Sequence, residues 1–325
     1  LRFELRPGDL MPGDTIGLLV GADAGEALVF GGRGAYRFDT ATAQELGKID
    51  PIANLPGNRR SQGEVPTDGG LAALAYTVGD PTSLMRGDGV RVFRVADGAT
   101  VVDLLSDDWQ PMDEFGTGVA ISNGVALVTA AGESGGAGAA YLFDAATGQQ
   151  LRKFAPADRV AGDAFGVGVA LDGDTAVVGA GRGFTAPSAG AYVFDVATGA
   201  EVARLSPEDP QSLASFGGLN AVAVDDGLAL IGARGLDGRG AAYLFDAATG
   251  DQLAKIVPPV GVAGTLFGDQ LALDDGVALV GAYLDNERGI AAGAAYLFDV
   301  SAFVIPEPTA VALALLGVAA IARRR

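Results

Sequence analysis

A short segment, Ala140-Tyr141-Leu142-Phe143-Asp144-Ala145-Ala146-Thr147-Gly148, returns as Ala191 to Gly199 and again as Ala242 to Gly250. Weaker copies stand at Ala35 to Ala43 and Ala295 to Ser301, and a degraded one runs from Val92 to Gly98. Tyr141, Tyr192, Tyr243 and Tyr296 are 51, 51 and 53 residues apart. A second anchor keeps step: Phe115-Gly116, Phe165-Gly166, Phe216-Gly217 and Phe267-Gly268, spaced 50, 51 and 51. A period of this size limits the chain to a few architectures in which each unit buries its apolar faces only against its neighbours.

Each period holds four short β-like runs, rich in Val, Leu, Ala and aromatics and bounded by Gly, Asp and Pro. The first two runs, such as Val169-Ala170-Leu171 and Thr175 to Gly179, are apolar on both faces, as strands sandwiched between sheets must be. A tight Asp-Gly turn joins them. The third run is the Ala-Tyr-Leu-Phe segment, and the fourth is Leu151 to Phe154, Val202 to Leu205 or Leu253 to Ile256. Four strands in ~50 residues is the unit of a β-propeller blade. Six units predict an all-β, six-bladed propeller over residues 1–304. Leu1 to Pro7 reads like a fourth strand, and the last unit stops after its third at Asp299, so the N-terminal strand is expected to complete the last blade and close the ring.

The Phe-Gly anchor, followed by Val178-Gly179-Ala180, Ile231-Gly232-Ala233 or Val280-Gly281-Ala282, resembles the FG-GAP repeat of integrin α-type propellers. The resemblance is strong in the last four units and weak in the first two. The Pro of that family's Gly-Ala-Pro element is missing throughout, and so is its calcium loop, an Asp-x-Asp-x-Asp-Gly stretch between the first and second strands. No cofactor is therefore expected, and calcium would lack its usual site. The Asp-x-x-Thr-Gly turns are also similar to those of quinone-dependent dehydrogenase propellers, which dock a Trp after the turn. Phe154, Leu205 and Ile256 occupy that place here and Trp109 is the chain's only Trp, so quinone chemistry is rejected.

Residues 305–325 have a different character. Pro306-Glu307-Pro308 precedes an uncharged apolar run, Thr309 to Ala322, and the chain ends on Arg323-Arg324-Arg325. This resembles the PEP-CTERM sorting signal. The resemblance implies an exosortase-type enzyme as partner, transient membrane insertion of a short C-terminal hydrophobic helix, and delivery to the envelope, surface or extracellular matrix of a Gram-negative bacterium. The run is 14 residues, shorter than the ~20 of a full span, though arginines can snorkel from its end. The chain begins at Leu1 without a charged-then-apolar leader, so a secretory signal is expected to have been removed or the start to be truncated.

Composition narrows the chemistry. With no cysteine and no histidine, disulfides, thiol catalysis, Ser-His-Asp sites and the commonest zinc ligands are excluded. A net charge of −18 speaks against nucleic acid as a partner. The Asp that ends each third strand (Asp39, Asp144, Asp195, Asp246, Asp299) is expected to bond its own turn rather than a metal. Lys48, Lys153, Arg204 and Lys255, late in the fourth strands, are read as protection of the outer edges. Arg86-Gly87-Asp88 matches an integrin-recognised tripeptide by chance and is assigned no function.

The variable links between second and third strands mostly carry arginine: Arg33, Arg86, Arg182, Arg234 with Arg239, and Arg288, with Glu133 in the third unit. Variable loops on a rigid scaffold are where function concentrates. Arg182, Arg234, Arg239 and Arg288 form the candidate ligand face, suited to an acidic exopolysaccharide or a surface protein. The expected function is a non-catalytic binding or structural propeller. The alternative is a carboxylate-dependent glycan hydrolase or lyase, whose signature would be a non-repeating acidic pair in the mouth of the ring.

Overall fold

The computed structural model describes residues 7–9, 16–23, 25–31, 34–51, 65–78, 87–181, 190–209, 215–218, 220–235, 238–258, 264–285 and 293–303. They form six antiparallel sheets in chain order, a six-bladed β-propeller. Blade 1 is β1 (Ile16–Asp23), β2 (Glu26–Gly31), β3 (Gly34–Asp39) and β4 (Glu45–Ile49). Blade 2 is β5 (Thr67–Asp68), β6 (Leu71–Val78), β7 (Gly87–Arg94) and β8 (Thr100–Leu104). Blade 3 is β9 (Phe115–Ser122), β10 (Val125–Ala130), β11 (Ala139–Asp144) and β12 (Gln150–Phe154). Blade 4 is β13 (Gly168–Asp172), β14 (Thr175–Ala180), β15 (Gly190–Asp195) and β16 (Glu201–Leu205). Blade 5 is β17 (Val222–Asp225), β18 (Leu228–Ala233), β19 (Ala241–Asp246) and β20 (Gln252–Ile256). Blade 6 has three described strands, β21 (Phe267–Asp274), β22 (Val277–Ala282) and β23 (Ala294–Asp299). The expected closing strand in residues 1–6 lies outside the described residues.

Successive first strands contact one another, so they line the axis, and the fourth strands form the rim. Within a blade, each strand reverses through a hairpin. The turns between strands one and two and between three and four therefore share one end of the disc, the hairpin end. The links between strands two and three and between blades share the other, the link end. β23 runs from the link end to the hairpin end, where the Val300 N–H donates to the Gly276 carbonyl in the first turn of its own blade (2.8 Å).

The core lies between blades. Leu127, Ala140, Leu142 and Phe154 of blade 3 pack against Phe165, Ala176, Val178, Tyr192 and Phe194 of blade 4, and the other described junctions repeat this arrangement. The Phe of each Phe-Gly anchor packs on the third-strand aromatics of its own blade. Phe165 lies 5.7 Å from Tyr192 and 5.9 Å from Phe194, edge to face, and Phe216 lies 5.8 Å from Tyr243 and 6.0 Å from Phe245. A fully buried Phe contributes about 1.5–3 kcal/mol by burial, and each such ring pair adds about 0.5–1.5 kcal/mol.

The second-strand glycine of each Gly-Ala element is required where it meets the Phe-Gly anchor of the next blade. The backbones of neighbouring blades approach so closely that a Cβ on Gly179 would lie 1.9 Å from the Gly217 carbonyl oxygen, and one on Gly232 2.0 Å from that of Gly268. Blade 3 carries Thr129 where Gly179 and Gly232 stand. Its buried hydroxyl donates to the Gly166 carbonyl (2.6 Å) and accepts from the Gly118 N–H (2.8 Å), so the larger residue is tolerated through its hydrogen bonds.

One surface is an exception to this burial. The side of blade 6 that faces away from blade 5 exposes Leu279 (38%) and Leu297 (72%), whereas the equivalent Val177, Val193, Leu230 and Leu244 are at most 2% exposed.

Candidate functional site

The third-strand aspartates hold the hairpin end, as expected from their place before a turn. Asp144 Oδ1 accepts from the N–H groups of Ala146 and Thr147 and from the Thr147 hydroxyl, and Asp39 repeats this with Ala41 and Thr42. These bonds hold the Asp39, Asp144, Asp195 and Asp299 carboxyls below the ordinary carboxylate range, with the Thr or Ser that follows as the main cause. The turns between first and second strands are stapled from blade to blade. Asp172 accepts from the Asp226 N–H (3.2 Å) and Asp225 from the Asp275 N–H (2.8 Å). Burial, and after it the neighbouring Asp226, Asp172 and Asp274, push the Asp225 carboxyl up.

The rim basic residues do more than blunt an edge. Each stacks over the third-strand Tyr of its own blade and pairs with an Asp in the link arriving from the blade before. Lys153 Nζ lies 5.1 Å from the Tyr141 ring centre and 2.6 Å from Asp108. Arg204 lies over Tyr192 (5.2 Å) and pairs with Asp158 (3.2 Å); Lys255 lies over Tyr243 (5.3 Å) and pairs with Asp209. Lys48 lies over Tyr36 (4.9 Å) and pairs with Asp9 (2.8 Å). Burial works against the charge on Lys153, but its contacts with Asp108, Tyr141 and Glu133 outweigh this and raise its pKa. Burial pushes the Tyr141 hydroxyl up to about 12. Blade 2 reverses the roles. Arg91 takes the Tyr position, binds Asp103 on β8 through two 2.7 Å bonds, and donates to the Pro51 carbonyl. Spacing in the sequence identified the basic residues but not their partners, which are aspartates 39 to 46 residues away or a tyrosine on a different strand.

At the link end the structure describes two of the four candidate arginines. Arg234 and Arg239 are both exposed, on the link between β18 and β19. Arg234 pairs across the junction with Asp269 of blade 6 (2.7 Å). Arg239 is the one described cation at this end with no ion pair among the described residues. Arg182 and Arg288 lie outside the described residues, as do Arg33, Arg86 and the tail residues Pro306, Glu307, Pro308, Arg323, Arg324 and Arg325. Glu133 is not free: it accepts from Lys153 (3.1 Å), Arg159 (3.3 Å) and Ser134 (2.7 Å). Among the described residues no group of His, Cys, Asp and Glu could hold a metal ion, and no helix is long and apolar enough to cross a membrane.

The Phe-Gly anchors, the glycine contacts between blades and the four-stranded sheets coincide with what sequence comparison finds. The FG-GAP repeat family model matches residues 99–143, 149–194, 200–245 and 251–298, more than half of the chain. The chain belongs to the FG-GAP repeat family. Each FG-GAP match opens at the fourth strand of one blade and closes at the third strand of the next, so the sequence repeat straddles a junction. Curated proteins give no match. Among solved structures, BamB from Moraxella catarrhalis is similar, with 14% identity and a TM-score of 0.46 over 85% of this chain and 76% of that one.

Proposed function

We propose that this chain is an exported binding propeller of the bacterial envelope or extracellular matrix, non-catalytic, holding an anionic glycan against its link end. The observation that carries this reading is the segregation of charge. At the hairpin end Asp39, Asp68, Asp144, Asp172, Asp174, Asp195, Asp225, Asp226, Asp246, Asp251, Asp274, Asp275 and Asp299 stand against three described arginines. All three are engaged: Arg37 with Glu26 and the Ala96 carbonyl, Arg94 with Asp97, and Arg152 with the carbonyls of Val196 and Ala197. A polyanion is repelled there, whereas the other end carries the exposed Arg239, which has no ion pair among the described residues.

Binding is favoured over catalysis because many of the described link-end carboxylates are tied to the fold. Asp108, Asp158 and Asp209 pair with the rim cations, and Asp269 pairs with Arg234. Asp113 and Asp163 accept from the N–H groups of Gln110 and Val160. Asp285 accepts from the Tyr296 hydroxyl.

The test is binding of the full chain to polygalacturonate and to neutral dextran at low and high salt. Binding to the acidic polymer alone, weakening as salt rises, is expected, and replacing Arg182, Arg234, Arg239 and Arg288 together by Gln should weaken it. Equal binding to both polymers, or none, overturns the reading. The sorting part has its own test: with Pro306, Glu307 and Pro308 changed to Ala, the protein should remain in the inner membrane with its tail uncut. Normal surface delivery of that variant removes it.

A further inference from the structure

A feature shared by every blade serves the fold, so the link end is most informative where the repeat is broken. It is broken at the junction of blades 5 and 6. Two residues before the anchor Phe, blades 3 and 4 carry Asp113 and Asp163, buried and turned onto their own links. Blade 6 carries Thr265 there, fully buried. Its hydroxyl donates to the Arg239 carbonyl (3.1 Å), and its own carbonyl accepts from the Leu284 N–H (3.0 Å). The Phe267 N–H also donates to the Arg239 carbonyl (3.2 Å). Thr265 thus fixes the backbones of Arg239 and Leu284 on its two sides.

What these backbones present is unlike the other junctions. Tyr283, next to Leu284, is 65% exposed, while the equivalent Ala131 of blade 3 is buried. The third-strand tyrosines Tyr36, Tyr141, Tyr192 and Tyr243 are all inside their blades. Arg239 is exposed, and the Arg234–Asp269 pair bridges the same junction. The group therefore has an open aromatic face and an exposed guanidinium, held by its main chain, with no ion pair among the described residues.

We infer that this junction is a subsite for a uronic acid unit of an anionic glycan. Tyr283 offers its face to the C–H side of the sugar ring, and Arg239 takes the carboxylate through two parallel N–H bonds. The Arg234–Asp269 pair supplies a donor and an acceptor for hydroxyls. This rests on the reading of the link end as the glycan-binding end and names the place and the sugar chemistry within it.

The experiment measures affinity of the full chain for polygalacturonate, dextran sulfate and dextran. Tyr283→Ala and Arg239→Gln are each expected to weaken polygalacturonate binding about tenfold, a loss typical of one good contact. Tyr283→Phe should bind like the parent, because the ring face acts and not the hydroxyl. Met112→Ala and Val160→Ala, exposed at the link end elsewhere, should have no effect. All four side chains are exposed, so the five variants should melt as the parent does. If the parent binds polygalacturonate and the Tyr283→Ala and Arg239→Gln variants bind it equally well, this subsite is refuted while the link-end reading stands. If dextran sulfate binds as tightly as polygalacturonate and Tyr283→Ala changes neither, charge alone acts and the subsite is again refuted. If the parent binds no acidic polymer, both proposals fall.

Discussion

Closure of the ring can be tested at the level of a single residue pair. In blades 3, 4 and 5 the rim cation pairs with Asp108, Asp158 and Asp209, each four residues after the last apolar residue of the preceding blade's fourth strand, Leu104, Phe154 and Leu205. In blade 1 the same place is taken by Asp9, against Lys48 and Tyr36. Counting back four residues gives Leu5 as the end of the strand preceding blade 1, which in a closed ring belongs to blade 6. With the register Ala191↔Leu205 and Val193↔Ala203 of blade 4, a closed ring would set Leu5 opposite Ala295 and Phe3 opposite the exposed Leu297. Directly opposed residues in an antiparallel pair have Cα atoms ~4.5–5.5 Å apart, within the range a disulfide spans. The chain has no cysteine, so Leu5→Cys with Ala295→Cys introduces the only two thiols. Oxidation should give a cross-linked monomer of raised mobility on a non-reducing gel. Closing a loop of ~290 residues has a chain-entropy ceiling of about 5–6 kcal/mol, and realised values are typically about 2–4 kcal/mol. For a ring of this size that is a rise in Tm of roughly 3–6 °C over the reduced form. Leu1→Cys with Ala295→Cys, four residues out of register, should not cross-link. Failure of the first pair, a bond formed only between two chains, or equal reaction of the control pair would refute the closure.

The junction glycines and the rim pairs give further predictions. Gly179→Ala sets a methyl against the Gly217 carbonyl and should cost about 1–3 kcal/mol by overpacking, read as a lower Tm, whereas Gly218→Ala, with its nearest neighbour at 3.4 Å, should be nearly silent. Phe216→Ala removes a fully buried ring and two edge-to-face partners and should cost about 3–5 kcal/mol in denaturant unfolding. The Asp108 carboxyl opposes its own burial but is held below its ordinary pKa by Lys153. Its contribution is present at neutral pH and is lost as pH falls through the lowered value, so Asp108→Asn should flatten the loss of stability below about pH 4. An unchanged acid limb in that variant would count against the rim pair.

The architecture was legible because aromatic anchors recur at a constant interval. Phe165 and Tyr192 are 27 residues apart in sequence and 5.7 Å apart in the blade, and every later blade repeats that contact. Side-chain partners were harder to read. Lys153 and Asp108 meet only because one blade's rim lies beside the link arriving from the last, and no local pattern marks the pair. Thr129 breaks the Val-Gly-Ala pattern without breaking the junction, because a hydroxyl replaces the close approach that glycine allows. The arginines were visible as a class, but Arg234 is neutralised by Asp269, and it took the backbone contacts of Thr265 to bring Arg239 and Tyr283 together. Thr265 and Tyr283 were detectable in principle as departures from the repeat at fixed offsets from Phe267 and Ala282.

The direction of β23 decides how the disc would stand on a membrane. The chain leaves the last blade at Asp299, among the aspartates of the hairpin turns, and only residues 304–308 separate the described chain from the apolar run at Thr309. Fully extended, such a connection reaches roughly 17 Å. Were that run to anchor in a bilayer, the leash would leave from the acidic end, and anionic headgroups would push that end away while the leash held it near. Tether and repulsion together would turn the opposite end outward, with Tyr283 and Arg239 facing the surrounding medium.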